Sequence, residues 1–211
     1  MRLNLRERAV NDVMKIRLDP DKKIVLFIPS YFKDLRYLFS VFYRGDMEYM
    51  SLDSVLKAMN NFPGKQLLVK IHPYDSIDVN TFIVNRLKGY RNAYAVKDAD
   101  ILSLIDASAL VIVSLFSSSA LDALILDKPL ITLNMHRRED LVPFAANGVA
   151  LKATNTEELS QAMKSVFEDK EVAAALGRRR KQFIYDYAYK VDGRATERVW
   201  NLIDELCNGV N

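Results

Sequence analysis

The sequence predicts an α/β domain in which one parallel sheet of about six strands carries helices on both faces. Three observations lead there. Short, continuous apolar runs rich in branched residues recur along the chain, segments of helical period separate them, and every connection between runs is too long for a hairpin. At 211 residues with half the positions apolar, the chain is long enough for one sizeable core and short for two, so a single domain over 1–211 is expected.

Taken in order, Leu3 to Leu18 carries apolar residues at Leu5, Ala9, Val10, Val13, Met14 and Ile16 among charges, a helical stripe that Asp19, Pro20 and Asp21 end. The first strand follows as KIVLFIP, from Lys23 to Pro29, whose unbroken apolar character fits a strand covered on both faces. Phe32 to Met50 is aromatic-rich and fits neither period, and it reads equally as a mobile loop facing a substrate or as an interaction patch for a missing domain. Further strands are expected at Gln66 to Ile71, Asn92 to Val96, Ala109 to Leu115, Leu130 to Leu133 and Gly148 to Lys152. Helical period marks Leu52 to Phe62, Val79 to Gly89, Ile101 to Ala107, Ala120 to Leu126 and Glu157 to Phe167. The segment 171–206 reads as two further helices broken near Val191, Asp192 and Gly193, the second from Ala195 to Leu206. This alternation is the pattern of a Rossmann-like sheet.

Composition removes several function classes. The net charge of +3 is far from the concentrated positive field of a duplex nucleic-acid binder, whereas a small anionic ligand suits it. With one cysteine, Cys207, and two histidines, His72 and His136, neither a disulfide framework nor a zinc site is expected. No apolar run approaches the ~20 residues needed to span a bilayer, and the amino terminus does not read as a signal sequence, so a cytoplasmic location is expected, with room for peripheral membrane contact through Arg178 to Lys181. The lack of Gly-x-Gly-x-x-Gly, of a Walker Gly-Lys-Ser/Thr and of Gly-x-Ser-x-Gly disfavours a standard dinucleotide enzyme, a P-loop NTPase and an α/β hydrolase.

Three clusters are placed for chemistry. Ser117, Ser118 and Ser119 lie between an apolar strand and a helix, where unpaired backbone N–H groups and the positive end of the helix dipole attract anions. The same serines could simply cap that helix. Lys70, Ile71, His72 and Pro73 close the second strand, at the edge of an open sheet where ligands gather, and His72 can hydrogen-bond a phosphate or a sugar hydroxyl. Lys70 is expected to point into a helix layer or into solvent. Asp192, Gly193, Arg194 and Arg198 open the last helix, with a glycine for the turn and guanidinium forks suited to phosphate, although Arg198 could instead pair with Asp204 or Glu205. Ser30 and Tyr31 follow the first strand and could touch a donor or a second domain. His136, Arg137 and Arg138 read first as a solvated basic loop, with a place near diphosphate open.

In this order, KIVLFIPS, VKIHP, DADILSLIDASALVIVSLFSSSALDALILDKPLITLN and VDGRATERVWNLI resemble the carboxyl-terminal half of GT-B-type transferases. They are most similar in pattern to the CDP-glycerol glycerophosphotransferases of teichoic acid and related polymer synthesis, and more distantly to UDP-N-acetylglucosamine 2-epimerases. The resemblance implies a nucleotide-diphosphate donor of CDP or UDP type, glycosyl or glycerophosphate transfer for a cell-envelope polysaccharide, no metal or other cofactor, and a missing amino-terminal domain or partner subunit. It also implies that His72, Ser117 and Ser118 contact the diphosphate, that Asp192 and Gly193 shape the pocket and that Arg198 supports it. The resemblance assigns no catalytic residue here. The chain departs from the family where an aspartate and a tyrosine are expected before the serines, because Leu115 and Phe116 stand there, and Arg194 replaces a lysine. The alternative is a non-catalytic nucleotide-binding or assembly module, or a truncated remnant.

Overall fold

A computed structural model describes residues 18–30, 46–114, 117–137 and 139–208. The helix expected over Leu3 to Leu18 lies almost wholly outside them, as do Tyr31 and most of the aromatic-rich segment. Six strands form one all-parallel sheet: β1 (Lys23–Ile28), β2 (Lys65–Lys70), β3 (Ala93–Val96), β4 (Leu110–Ser114), β5 (Leu130–Leu133) and β6 (Leu151–Ala153). Their spatial order is β3-β2-β1-β4-β5-β6, so chain progression reverses between β1 and β4. That reversal is the topological switch point, outside whose carboxyl ends open α/β sheets form a crevice.

The helices among the described residues are α1 (Asp46–Met59), α2 (Ile77–Leu87), α3 (Ile101–Ala107), α4 (Ser119–Ile125), α5 (Thr156–Glu168), α6 (Lys170–Ala188) and α7 (Ala195–Asn208). Strand residues alternate between two cores, as pleating requires. Val25 and Phe27, with Leu67, Val69, Leu110 and Ile112, pack against α1, α2 and α5. On the other face Ile24, Leu26 and Ile28, with Leu68, Val111 and Val113, pack against α3, α4 and Phe183 of α6. The run KIVLFI is unbroken because both faces of β1 are covered, and its residues from Ile24 to Ile28 are all buried. The cover dictates the composition.

The boundaries differ from expectation in two informative places. Helix α1 starts at Asp46, inside the stretch read as loop, because its first turns bury Glu48 and Ser51 and so break the apolar period. Strand β6 starts at Leu151 rather than at Gly148. Gly148 takes φ 65°, a left-handed conformation that ends a turn, and its backbone lies so close under Arg179 that an added Cβ would stand 2.8 Å from Nη1.

Three of the helix starts follow ordinary capping chemistry. Asp100 accepts from the Ser103 N–H at 2.9 Å, Asn155 from the Glu158 N–H at 2.9 Å and Ser76 from the Val79 N–H at 3.3 Å. The basic run at Arg178 to Lys181 is not uniformly solvated. Arg180 is buried and its guanidinium pairs with Asp127, which ends α4 in a left-handed turn at φ 61°.

Candidate functional site

The carboxyl edge of the sheet collects buried polar side chains in a row: Lys70 at the end of β2 and Asp75 after it, Glu48 beside β1, Ser114 on β4 and Asn134 after β5. Buried polar groups are costly unless satisfied, and these are bonded to the strand ends and loops around them.

At β2 the turn carrying His72 is closed three ways. The Asp75 carboxylate accepts from the His72 N–H at 3.2 Å, and the Asp75 N–H donates back to the His72 carbonyl at 3.0 Å. The Tyr74 N–H donates to His72 Nδ1 at 3.2 Å, which leaves Nε2 as the proton-bearing nitrogen of the neutral ring. Beneath it Lys70 neither enters a helix layer nor solvates. Its ammonium donates to the carbonyls of Ile71 at 2.9 Å and of Lys97 at 2.7 Å, tying the ends of β2 and β3 together, while Lys97 Nζ donates to the Asp75 carbonyl at 2.9 Å. Burial pulls the Lys70 ammonium below its ordinary range, opposed by Asp98, reinforced by Lys97 and opposed again by Asp75.

At the switch point Ser30 and Ser114 are cross-linked by hydrogen bonds. The Ser30 N–H donates to Ser114 Oγ at 2.6 Å, and the Ser30 hydroxyl donates to the Ser114 carbonyl at 3.1 Å. Beyond β4 the chain reaches Ser117, Ser118 and Ser119. Ser118 holds the N-cap position of α4, yet its side chain makes no capping hydrogen bond. The turn is instead closed by backbone, with the Ser117 carbonyl accepting from Ala120 N–H at 3.1 Å and the Ser118 carbonyl from Leu121 N–H at 3.0 Å. Ser118 thus stands at the N-cap, as one reading of these serines allowed, without capping through its hydroxyl. Ser118 is exposed, whereas Ser117 and Ser119 are partly buried.

The remaining candidates lie elsewhere on the chain. Asp192 and Gly193 form the exposed turn between α6 and α7, where Gly193 takes φ 75°. Arg198 pairs not with Asp204 or Glu205 but with both Asp192 carboxylate oxygens at 2.8 Å, and its other nitrogen donates to the Lys190 carbonyl. That guanidinium, with the Arg194 N–H, holds the Asp192 carboxyl below its ordinary range. Among the described residues no hydrogen bond or ion pair joins this turn to the strand ends. After β5, Asn134 Nδ2 donates to Asp140, which also takes Lys152 at 2.8 Å, and Arg138 lies outside the described residues.

Sequence reasoning did not single out Glu48, Asp75 and Asp122. Glu48 sits in an aromatic-rich stretch without period, and Asp75 becomes visible only through the turn it closes. Asp122, one turn into α4, carries a carboxyl that burial pushes above its ordinary range. The signal for it was its spacing of four from Ser118, which places both on one helical face.

Solved structures of similar shape run to about twice this length. The wall teichoic acid polymerase TagF aligns with a TM-score of 0.64 at 21% identity, over 97% of this chain and 48% of its own. A putative UDP-N-acetylglucosamine 2-epimerase from Listeria monocytogenes aligns at 0.60 and 15% identity, over 91% and 47%. UDP-GlcNAc 2-epimerase from Neisseria meningitidis, solved with UDP-GlcNAc bound, aligns at 0.56 and 13% identity, over 86% and 52%. At these identities the likeness establishes the fold. No curated protein matches the chain by sequence. The family model of CDP-glycerol:poly(glycerophosphate) glycerophosphotransferases, however, matches residues 5–205, which spans the sheet and all but the last residues of α7. Because that match covers nearly the whole chain, the chain belongs to the CDP-glycerol:poly(glycerophosphate) glycerophosphotransferase family.

Proposed function

We propose that this chain holds the diphosphate of a nucleotide-activated donor, CDP-glycerol or a nucleotide sugar, at the β1/β4 switch point, for glycerophosphate or glycosyl transfer in the synthesis of a teichoic-acid-like polymer. The observation that carries the reading is placement: His72 follows β2 and the Ser117–Ser119 turn follows β4, on either side of β1 at the carboxyl edge of the sheet, and the Ser118 side chain makes no capping hydrogen bond. Such a site neutralises a leaving diphosphate with fixed donors that need no reorganisation as charge develops. His72, Ser117, Ser118 and Ser119 make the first contacts. Ser30 shapes the floor, and Asp192, Gly193 and Arg198 close the pocket from the α6–α7 turn once a second domain is in place. Tyr31, next in the chain after Ser30, is assigned to donor contact on its sequence position alone and lies outside the described residues. The mechanism on this side is binding and electrostatic stabilisation, with the acceptor activated from elsewhere.

A second domain or subunit completes the cleft and excludes water from it. Two facts favour this. The chain spans about half the length of the solved structures it resembles. Helix α7 is amphipathic, contributes no buried residue, and exposes Val199, Trp200, Leu202, Ile203 and Leu206, an apolar face of the kind that partners cover. Among the described residues no helix is long and apolar enough to cross a membrane.

Calorimetric titration with CDP, UDP, GDP and ADP tests the proposal. At a hundredfold excess over Kd a ligand that binds only the native state raises Tm by roughly 5–10 °C in a chain of this size. The S117A/S118A variant should fold and lose most of that shift. A chain indifferent to all four nucleotides, or a variant that binds as well as wild type, would refute the assignment and favour a non-catalytic assembly module.

A further inference from the structure

The ends of β1 and β4 are held by more than their ladder. Glu48, in the first turn of α1, and Ser114, the last residue of β4, are each 1% exposed. The Ser114 hydroxyl donates to Glu48 Oε2 at 2.7 Å, and the Ser30 N–H reaches the same carboxylate oxygen at 3.1 Å as well as Ser114 Oγ at 2.6 Å. Ser114 Oγ has one proton, for which Ser30 Oγ, at 3.4 Å, is the other acceptor in reach. A carboxylate at the shorter distance takes it, because hydrogen bonds to charged acceptors are shorter and stronger than neutral ones. With its proton committed to Glu48, the hydroxyl turns its lone pairs to the Ser30 N–H. The acid thereby sets the orientation of both serines.

Stability alone does not account for an acid in this place. A buried carboxylate loses its hydration, and a well-packed apolar side chain commonly serves the fold as well or better. Location supplies the reason. Ser114 is three residues before Ser117, Ser30 is two residues past the end of β1, and α1 brings the carboxylate to both at the switch point.

We infer that Glu48 is a positioning residue for the phosphate cradle: by orienting Ser114 and Ser30 it fixes the ends of β1 and β4 at their switch point, and with the end of β4 the Ser117–Ser119 turn that follows it. The inference rests on the reading of that turn as a diphosphate site.

The test is calorimetry with CDP and UDP at low temperature, where every folded variant is fully native, alongside Tm. E48A should weaken affinity on the order of tenfold, the equivalent of one hydrogen bond to a charged group. E48Q keeps an acceptor oxygen for both serines and should recover most of the loss. S114A, a smaller change, should reproduce the E48A pattern and stands in for it if E48A does not fold. Added to S117A, E48A should cost little further affinity while lowering Tm as much as in wild type, since its effect on ligand passes through the cradle. Lower Tm with unchanged affinity, or the same affinity loss with and without Ser117, would overturn the inference alone. Wild-type protein that binds neither nucleotide would overturn the reading of the site and this inference with it.

Discussion

Asp122 illustrates how a single side chain can work against the fold that carries it. Half-buried in α4, its carboxyl titrates above the ordinary 3.8 because burial disfavours the charged form. The native state therefore holds its proton to higher pH than the unfolded chain does, and stability falls as pH rises from 3.8 through the raised native value. D122N removes that titration. Urea unfolding should find the variant more stable than wild type at neutral pH, and the two should converge toward acid. Equal stabilities at pH 7 would show that the carboxylate has found a compensating partner. Residues of this kind are hard to read from sequence. Lys70 and His72 announce themselves beside Pro73 at a strand end, and the three serines do so by repetition. Glu48 and Asp75 do not, because their partners lie 66 residues away in Ser114 and inside a turn whose closure no periodicity encodes.

Elements were more legible than their ends. β1, β2, β4 and β5 fall where apolar runs place them, since a strand covered on both faces has no polar alternation to confuse with a helix. Missed boundaries have local causes: buried polar groups in the first turns of α1, and the left-handed Gly148 before β6. α7 is the opposite case, legible as a helix from its pattern and yet unsupported by packing. An unpacked helix of 14 residues is marginal in water, since most helical stability comes from tertiary contacts. I203D/L206D should therefore leave Tm within about 1–2 °C of wild type, as for surface changes generally. A drop of 5 °C or more in the isolated chain would mean that this face is already covered. The same substitutions should abolish assembly with whatever domain completes the cleft.

For the molecule as a whole, the two cores on either side of β1 set a hierarchy of stability. Amides of Val25 to Phe27, Leu67 to Val69 and Ile112 lie in the centre of the ladder and between buried layers, so they should exchange with solvent only through global unfolding. Those of α7 should exchange through local fraying. Protection of α7 equal to that of β1 would contradict the hierarchy. Architecture itself was readable because each level agrees with the next: alternating runs, crossovers of helical length and two-sided burial all specify one parallel sheet. The switch point was not readable as a place, because strand order is a long-range property that no segment carries.

The position of β1 also bears on how the chain comes into being. It is the earliest strand in sequence, yet it sits in the middle of the sheet, and of its two flanking strands β2 begins at Lys65 and β4 only at Leu110. At the usual pace of translation, roughly 5–20 residues per second, the hexapeptide KIVLFI waits several seconds on the ribosome before its second edge is covered. A strongly β-forming stretch whose one charge is Lys23 at its start, left bare for that long, is an aggregation hazard and a chaperone substrate. Lys22 and Lys23 at its entry, and Pro29 just past its exit, are the natural gatekeepers against stacking with a neighbouring nascent copy.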